Sequence, residues 1–140
     1  MMTYLKISAI LILFVAAFSC EQEDFTFNVN CNECYYPEPD TADLIMNFTI
    51  NEENPFVPFI LYMGDVEENK IDFIDTAYSE EEYLASAIDV DYSIKAFYKK
   101  GSQTIIVVDG DKLKASRTSE VCDYECWIIK GGVLDLTLKD

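Results

Sequence analysis

The sequence predicts an all-β fold, a two-sheet antiparallel sandwich, and two patterns in residues 41–140 support this prediction. Short segments alternate apolar and polar residues, as where Leu44, Met46, Phe48 and Ile50 are separated by single residues. Turn-forming sequences such as "NEENP" and "GDVEEN" separate these segments at regular intervals. Several short strands punctuated in this way are typical of a sandwich.

The first expected strands cover 43–50, 56–63 and 70–77. The next segment, "YSEEEYLASAI", also fits a helical turn, because Ser79 and Glu82 have the spacing of a capping box. We favour a strand there, since strands precede and follow it. The strand after it, "DYSIKAFY", has four residues on one face, which are Tyr92, Ile94, Ala96 and Tyr98.

The remaining strands are expected in two hairpins. The β-branched run "TIIVV" leads into "DGDK" at 109–112, a sequence typical of a tight hairpin turn, and then into the polar strand "KLKASR". The last segment, "CWIIKGGVLDLTLK", predicts a hairpin that turns at Gly131 and Gly132. Alternation in its second half predicts that Leu134, Leu136 and Leu138 face inward.

Length and charge limit the functions to be considered. The 140 residues suffice for one domain with a packed core, and the formal net charge is −16. Residues 1–19 contain a single charged residue, Lys6, so the rest has 9 basic and 26 acidic residues, a net charge of −17. Nucleic acids and anionic lipid headgroups would be repelled by such a chain, so neither is an expected ligand.

The N-terminus has the features of an export signal. Lys6 precedes about a dozen mostly apolar residues, a run shorter than the roughly 20 that span a bilayer. Small residues, Ala17 and Ser19, permit cleavage before Cys20 by an ordinary signal peptidase, which would secrete the chain. The sequence "AFSC" also resembles the lipobox of bacterial lipoproteins, in relaxed forms like those of Bacteroidetes.

This resemblance implies that Cys20 becomes the new N-terminus and bears fatty acyl chains such as palmitate, which hold the protein to a membrane. The acidic "EQED" that follows resembles the export signal that sends some Bacteroidetes lipoproteins to the cell surface. We therefore expect an outer-membrane lipoprotein exposed on the cell surface. Its expected parts are a signal peptide (1–19), a lipidated N-terminus with its tether (20–40) and a β-sandwich domain (41–140).

Two stretches resemble known sandwich families. The segment "IDVDYSIKAFY" is similar to a strand of immunoglobulin, fibronectin type III and transthyretin-like domains that contains a characteristic tyrosine. The segment "VPFILYMGDVEENKIDFIDTA" resembles the early strands of transthyretin-like domains. Nearly the whole chain is similar to small Bacteroidetes lipoproteins of uncharacterised function. The resemblance implies a fold and a location, and it brings no activity.

Besides Cys20, the chain has four cysteines in two closely spaced pairs: Cys31 with Cys34, and Cys122 with Cys126. Spacings of this kind could form a zinc site, but an oxidising envelope favours two disulfides. A thioredoxin-like role for "CNEC" would need a βαβ pattern, which the sequence lacks. Three pairings remain open. We favour bonds between the N-terminal and the C-terminal pair, because closing a longer loop removes more conformational entropy from the unfolded chain.

Catalytic chemistry has little basis in the sequence. The chain contains no histidine, the commonest general base and metal ligand. Two pairs of carboxylates, Asp89 with Asp91 and Asp109 with Asp111, could serve a hydrolase or bind calcium, but turn chemistry explains the second pair and no EF-hand pattern is present. There is also no glycine-rich phosphate loop. We expect no catalytic residue, metal or cofactor.

Other residues suggest binding. Seven aromatic side chains could form a surface for a sugar or a protein, or could line the sheet faces: Tyr35, Tyr36, Tyr62, Tyr78, Tyr83, Tyr98 and Trp127. The tripeptide "DTA" occurs twice and resembles the O-glycosylation signal of Bacteroidetes periplasmic proteins, which makes Thr41 and Thr76 candidate glycosylation sites.

The sequence as a whole predicts a noncatalytic binding or structural module, anchored through Cys20, with a protein or carbohydrate partner. Two alternatives stay open. One is a small carboxylate-dependent hydrolase, and the other is an acidic inhibitor or immunity-type protein that is steered onto a basic partner.

Overall fold

The computed structural model describes residues 33–118 and 125–139. The expected signal segment, Cys20, Cys31 and Cys122 lie outside these residues. Within them there are eight strands, which are β1 (Thr41–Asn47), β2 (Val57–Met63), β3 (Ile71–Ala77), β4 (Glu81–Ala87), β5 (Val90–Lys100), β6 (Gln103–Thr118), β7 (Cys126–Lys130) and β8 (Val133–Asp135). A short 3₁₀ helix, Val66–Glu68, follows β2, and no helix in the described ranges has the length and hydropathy needed to cross a bilayer.

The strands form two packed sheets, which confirms the predicted β-sandwich. One sheet has the order β4-β1-β8 and the other has the order β3-β2-β5-β6-β7. Pairing is antiparallel between all neighbours except β8, which lies parallel to β1. The parallel pair arises because the chain crosses from β7 in the other sheet and enters β8 from the end of the three-stranded sheet where β1 also begins.

The first six strands follow the immunoglobulin order. β1 and β4 take the places of strands B and E, while β3, β2, β5 and β6 take those of C′, C, F and G. β8 occupies the position beside β1 where such domains have strand A. At the corner between β4 and β5, the Tyr92 hydroxyl donates a 3.2 Å hydrogen bond to the Ala87 carbonyl, as in a tyrosine corner.

Alternating residues of both sheets form the core. Most inward positions predicted from the sequence are buried, including Leu44, Met46, Ile94, Leu134 and Leu136, whereas Ile50 and Leu138 are only partly buried against the core. Tyr98 lies among them because its hydroxyl is satisfied: it donates to the Leu136 carbonyl at 2.8 Å and accepts from the Thr49 N–H at 3.1 Å. Burial of this ring raises the pKa of the Tyr98 hydroxyl.

The predicted hairpin turn at 109–112 is wrong, because β6 runs without interruption from Gln103 to Thr118. Each residue of "DGDK" pairs with β5, with Asp109 opposite Ile94 and Lys112 opposite Asp91. A Cβ at Gly110 would lie 3.2 Å from the Tyr92 carbonyl oxygen, so the glycine permits a close approach to β5. Pairing along the full length of β5 therefore outweighs the local turn preference.

The predicted C-terminal hairpin is also wrong. β7 pairs with β6 in one sheet and β8 pairs with β1 in the other, so Gly131 and Gly132 carry the chain between the sheets. Both have positive φ, 69° and 73°. A Cβ at Gly131 would lie 2.1 Å from the Lys112 carbonyl oxygen, and one at Gly132 would lie 2.4 Å from Cδ1 of Leu113. Only glycine fits a crossing this close to β6.

The segment 78–88 contains strand β4, as we favoured over a helical turn. The capping-box residues nevertheless make a related contact. The Glu82 carboxylate accepts hydrogen bonds from the backbone N–H groups of Tyr78 at 3.2 Å and Ser79 at 3.1 Å. These bonds close the turn before the strand, and a strand follows because β4 pairs with β1 along its whole length.

The last third of β6 extends past the end of β5 and forms an arm with β7. Lys114–Thr118 pair with Cys126–Lys130, and Tyr35 forms an isolated bridge to Trp127 on the other side of β7. A disulfide between Cys34 and Cys126, with a Cα–Cα distance of 5.5 Å, ties the segment before β1 to this arm. We call this end of the sandwich the arm end, and the end with the loop 48–56 and the turns 78–80 and 101–102 the loop end.

Candidate binding surface

The predicted carboxylate pairs serve the fold. The Asp109 Oδ2 accepts a hydrogen bond from the Asp135 N–H at 2.7 Å, and the Asp111 Oδ2 accepts one from the Val133 N–H at 3.2 Å. Asp89 adopts a positive φ of 61° in the tight turn before β5, where its N–H donates to the Leu113 carbonyl. Asp91 lies 3.9 Å from the Lys112 ammonium. The described pairs therefore join strands and turns. Asp91 and Asp111, one from each pair, also line a depression of about 460 Å³ together with Asp65 and Glu68.

Asp135 has a clearly shifted pKa. The hydroxyl of Thr137, together with Lys139, lowers the pKa of this carboxyl to about 2, because both stabilise the ionised form. A general acid needs the opposite shift, toward neutral pH. Among residues 33–118 and 125–139, no group of three or more aspartate, glutamate, cysteine or histidine side chains is arranged to hold a metal ion.

The disulfide between Cys34 and Cys126 joins the N-terminal to the C-terminal cysteine pair, as we favoured, and its partners are 92 positions apart. Near it, the Thr118 hydroxyl lies 3.1 Å from the Cys126 sulfur in a buried position. Cys31 and Cys122 lie outside the described residues, so their expected bond stays a prediction.

The seven predicted aromatic residues do not form one surface. Tyr62 and Tyr98 are buried, while Tyr35, Tyr36 and Trp127 belong to the arm end. Tyr83 lies on the exposed face of the three-stranded sheet, where its hydroxyl donates to the Glu81 carboxylate. Tyr78 is exposed at the loop end.

The candidate glycosylation sites lie apart from each other. Thr41 is exposed at the first position of β1, and Thr76 is half-buried in β3, where its N–H donates to the Asp75 carboxylate at 2.8 Å. Modification of either residue stays a prediction.

The outer side of the five-stranded sheet presents an apolar surface, which we call the outer face. Strand register defines it: Ile60 pairs with Ile74 and with Lys95, Lys95 pairs with Val108, and Phe97 pairs with Ile106. In β2 and β5 the adjacent residues point into the core, as with Phe59, Leu61 and Ala96, so Ile60, Lys95 and Phe97 and their cross-strand partners point outward. With Pro58, the outer face consists of Pro58, Ile60, Ile74, Lys95, Phe97, Ile106 and Val108.

This face differs from the rest of an acidic molecule. Ile74, Ile106 and Val108 have 63%, 54% and 53% of their surface exposed, although the free face of an antiparallel sheet is normally polar. It contains no carboxylate, in a chain with 26 acidic residues. Its single charge is Lys95, whose Nζ lies 5.5 Å from the centre of the Tyr62 ring. Contiguous exposed apolar surface of this kind marks interaction sites.

A depression of about 410 Å³ continues the outer face toward the loop end. Pro55, Phe56, Pro58 and Phe97 line it, with Glu52 and Lys99 among its polar residues. The ring of Phe56 lies 6.2 Å from that of Tyr78, so two exposed aromatic side chains stand beside the depression.

The loop that carries Phe56 is held in place by Asn54. The buried side chain of this residue accepts a hydrogen bond from the Lys99 N–H at 2.8 Å and donates one to the Lys99 carbonyl at 3.1 Å. Glu53 accepts a further bond from the Gly101 N–H at 2.8 Å. The surface at the loop end is therefore preorganised, which lowers the entropy lost on binding.

The prediction from the sequence missed the outer face, although a signal for it was present. The sequence of a strand with one solvent-exposed face alternates apolar and polar residues, whereas a strand with two apolar faces has a continuous apolar run. The runs "FVPFILYM" and "TIIVV" are of the second kind. These runs coincide with strands β2 and β6, and their outward apolar residues are Pro58, Ile60, Ile106 and Val108.

Comparison with known protein families, with curated proteins and with solved structures finds no significant match to this chain.

Proposed function

We propose that the protein is a noncatalytic, envelope-anchored module that binds a protein partner through the outer face. The observation that carries this proposal is the exposure of Ile74, Ile106 and Val108 on a face without carboxylates. Burying aliphatic surface contributes roughly 25 cal/mol of favourable free energy per Å², so binding of a partner that covers this surface is favoured.

The chemistry of the face favours a protein over a carbohydrate. Ile60, Ile74, Ile106 and Val108 offer no hydrogen-bonding group to sugar hydroxyls, and the exposed rings of Phe56 and Tyr78 lie at the loop end, beside the face and outside it. Protein interfaces, by contrast, have an apolar centre with polar groups at the rim. Glu52 and Lys99 near the depression, and Asp65 and Asp91 beyond the other end of the face, supply such a rim.

The expected lipid anchor is compatible with this use. The segment 33–40 meets the sandwich at the arm end, whereas the aromatic pair Phe56 and Tyr78 lies at the loop end. Thirteen positions separate Cys20 from Glu33, enough for a tether of at most about 45 Å. Attachment at Cys20 would thus leave the outer face free for a partner in the envelope or on the cell surface.

Site-specific photocrosslinking in intact producing cells tests the binding face. A photoreactive phenylalanine at position 106 should capture one defined protein, and the same group at position 83, on the exposed face of the other sheet, serves as the matched control. Capture of the same proteins from both positions would contradict the proposal, as would the absence of any adduct from position 106. Substituting Ile74 by serine should weaken the adduct formed from position 106.

Cell fractionation tests the anchor separately. Cys20→Ser removes the expected acylation site, and a chain this acidic is not held to anionic lipid by charge. The variant should leave the membrane fraction, while Glu21→Ala with Glu23→Ala and Asp24→Ala should stay membrane-bound and become protected from protease added outside. Membrane retention of Cys20→Ser would contradict the lipoprotein assignment, and unchanged protease access of the triple variant would contradict the export role of "EQED".

A further inference from the structure

One stretch of strand β6 has an open edge. Gln103–Val108 pair with β5 on one side, and no strand in the described ranges pairs with their other side. β7 covers only Lys114–Thr118 of that edge, and β8 approaches it only near Asp109 and Asp111. The N–H and C=O groups that point away from β5 along Gln103–Val108 can therefore receive a further strand.

Two other edges of the sandwich have features that prevent such pairing. β3 has a bulge, because its pairing shifts from Phe73 to Ile71 at consecutive residues of β2 and leaves Asp72 as the extra residue. β8 is short, and its outward N–H groups at Val133 and Asp135 are bonded to carboxylates. The open stretch of β6 has neither feature: Thr104–Val108 are all β-branched, with no charge and no proline.

A groove of about 740 Å³ runs beside this edge. Half-buried apolar side chains line it, from β6 (Ile105 and Val107) and from the segment after β8 (Leu138). A strand added to β6 would direct every second side chain into this groove. Backbone bonds from the edge and apolar pockets for alternate residues are the two requirements of strand addition.

The charges beside the groove indicate what kind of strand fits. Lys99, Lys100 and Lys139 line it, although the chain has only 10 basic residues in total. The two carboxylates in the lining are engaged, Glu53 with the Gly101 N–H and Asp135 with Thr137 and Lys139. An incoming strand with carboxylates would meet these lysines, whereas a second copy of this chain would bring the same lysines to the same edge.

We propose that the open edge of β6 binds an extended strand of a partner protein, with apolar residues at alternate positions and carboxylates beside them. Main-chain hydrogen bonds to Gln103–Val108 hold the strand, and its apolar side chains enter the groove beside Leu138. Its carboxylates pair with Lys99 and Lys100, while Lys139, which lies 2.9 Å from the Asp135 carboxylate, adds positive charge beside them. This site adjoins the outer face, because Ile106 and Val108 line the groove and also belong to that face.

Titration with designed peptides tests the proposal on the oxidised chain from residue 20, with Cys20→Ser to remove the acylation site. The probe is a ten-residue peptide of alternating valine and threonine with aspartate at both ends. Two control peptides isolate its interactions: one bears N-methyl groups on every second residue, which block one hydrogen-bonding edge, and the other has lysine in place of aspartate. We expect saturable binding of the probe, and at least tenfold weaker binding of either control.

Amide hydrogen exchange locates the strand. Amides of Gln103–Val108 that exchange freely in the unliganded protein should become protected when the probe is added. In the protein, Lys100→Gln with Lys139→Gln should weaken binding by about three- to tenfold, the range of exposed ion pairs. Lys114→Gln, in the part of β6 that β7 covers, is the control and should leave binding unchanged.

Four results would overturn the proposal. Equal binding of the N-methylated peptide would mean that no main-chain pairing occurs. Protection of Gln103–Val108 without peptide at low protein concentration would mean that another part of the same chain covers the edge. Protection that appears only at high protein concentration, together with a dimer in sedimentation equilibrium, would identify a second copy as the occupant. No binding of the probe at millimolar concentration would exclude a strand of this chemistry.

Discussion

The carboxylate of Asp109 accepts a 2.7 Å hydrogen bond from the backbone N–H of Asp135, and this contact links strand β6 to the edge of strand β8 in the other sheet. Two positions forward along β6 and two positions back along β8, Asp111 and Val133 repeat it at 3.2 Å. An edge strand normally leaves such N–H groups to solvent or to another chain. The aspartates therefore both satisfy β8 and fasten one side of the sandwich.

Asp109→Ala should destabilise the domain, because the Asp135 N–H loses a charged acceptor. We expect the free energy of unfolding to fall by about 1–3 kcal/mol, the usual loss for a hydrogen bond to a charged group. Asp109→Asn should lose less, since its amide oxygen can still accept. Urea unfolding measures both, with Asp43→Ala on the exposed face of β1 as the control. Equal losses in Asp109→Ala and Asp43→Ala would contradict the fastening role.

Gly131→Ala should be far more damaging than Gly101→Ala. Both positions have positive φ, 69° and 60°, so alanine is strained in each by about 1–2 kcal/mol. A Cβ at Gly131 would in addition lie 2.1 Å from the Lys112 carbonyl oxygen, whereas nothing lies within 4 Å of one at Gly101. Thermal unfolding should show a modest loss for Gly101→Ala and a misfolded or much less stable Gly131→Ala. Comparable melting temperatures would argue against the close crossing.

Asp135 should titrate near pH 2, below its ordinary value of 3.8, because hydrogen bonds from Thr137 and Lys139 favour its ionised form. A pKa that is lower in the folded state gives stability that is present above the unfolded pKa and lost as pH falls through the folded pKa. The contribution should thus disappear between about pH 4 and pH 2. NMR titration of the Asp135 carboxyl measures the midpoint, and Thr137→Val should raise it. A midpoint near 3.8 in the unsubstituted protein would disprove the contact.

Replacing Cys34 and Cys126 together by serine should lower the free energy of unfolding by about 4–5 kcal/mol, the loop-entropy value for a closed loop of this size. The two residues are 92 positions apart, so their bond restricts most of the unfolded domain. Chemical denaturation measures the loss in a Cys31→Ser, Cys122→Ser background, because the expected second bond would close nearly the same loop. A loss below about 1 kcal/mol in that background would contradict the loop-entropy effect.

The sequence predicted the sandwich because its core strands obey strict alternation. Leu44 and Met46, or Ile94 and Ala96, are inward at every second position, and their burial agrees with that pattern. The resemblance of this strand to those of known sandwich families includes a characteristic tyrosine, and the structure adds its contact, a hydrogen bond from the Tyr92 hydroxyl to the Ala87 carbonyl.

The two wrong turn predictions both involve glycine residues. Gly110 and the pair Gly131 and Gly132 were read as turns, since local sequence cannot distinguish a turn from a close approach of two backbones. The distinction depends on residues far away in sequence: Ser93 lies opposite Gly110, and Lys112 lies against Gly131. Pairing over such separations is a tertiary effect. It also explains the carboxylates of Asp109 and Asp111, which we considered as a catalytic or calcium site and which bind backbone N–H groups of β8.

The outer face required knowledge of register. Ile74 and Val108 are 34 positions apart in the sequence, and they share a face only because Ile60 and Lys95 lie between them in adjacent strands. A continuous apolar run indicates two apolar faces without indicating which strands are neighbours. The open edge of β6 was hidden for a related reason, because the predicted turn at 109–112 had divided that strand.

The bond between Cys34 and Cys126 also determines how the domain would respond to mechanical force. A pull on the chain upstream of Cys34 passes through the disulfide into β7, a covalent route that bypasses β1 to β6. Those six strands lie inside a closed covalent loop, so tension between the two chain termini cannot draw them out end to end. Within the sandwich, only the strands from Cys126 onward can be extended. The strands that form the outer face would then keep their register under load. Reduction of the disulfide between Cys34 and Cys126 would expose these strands to the load.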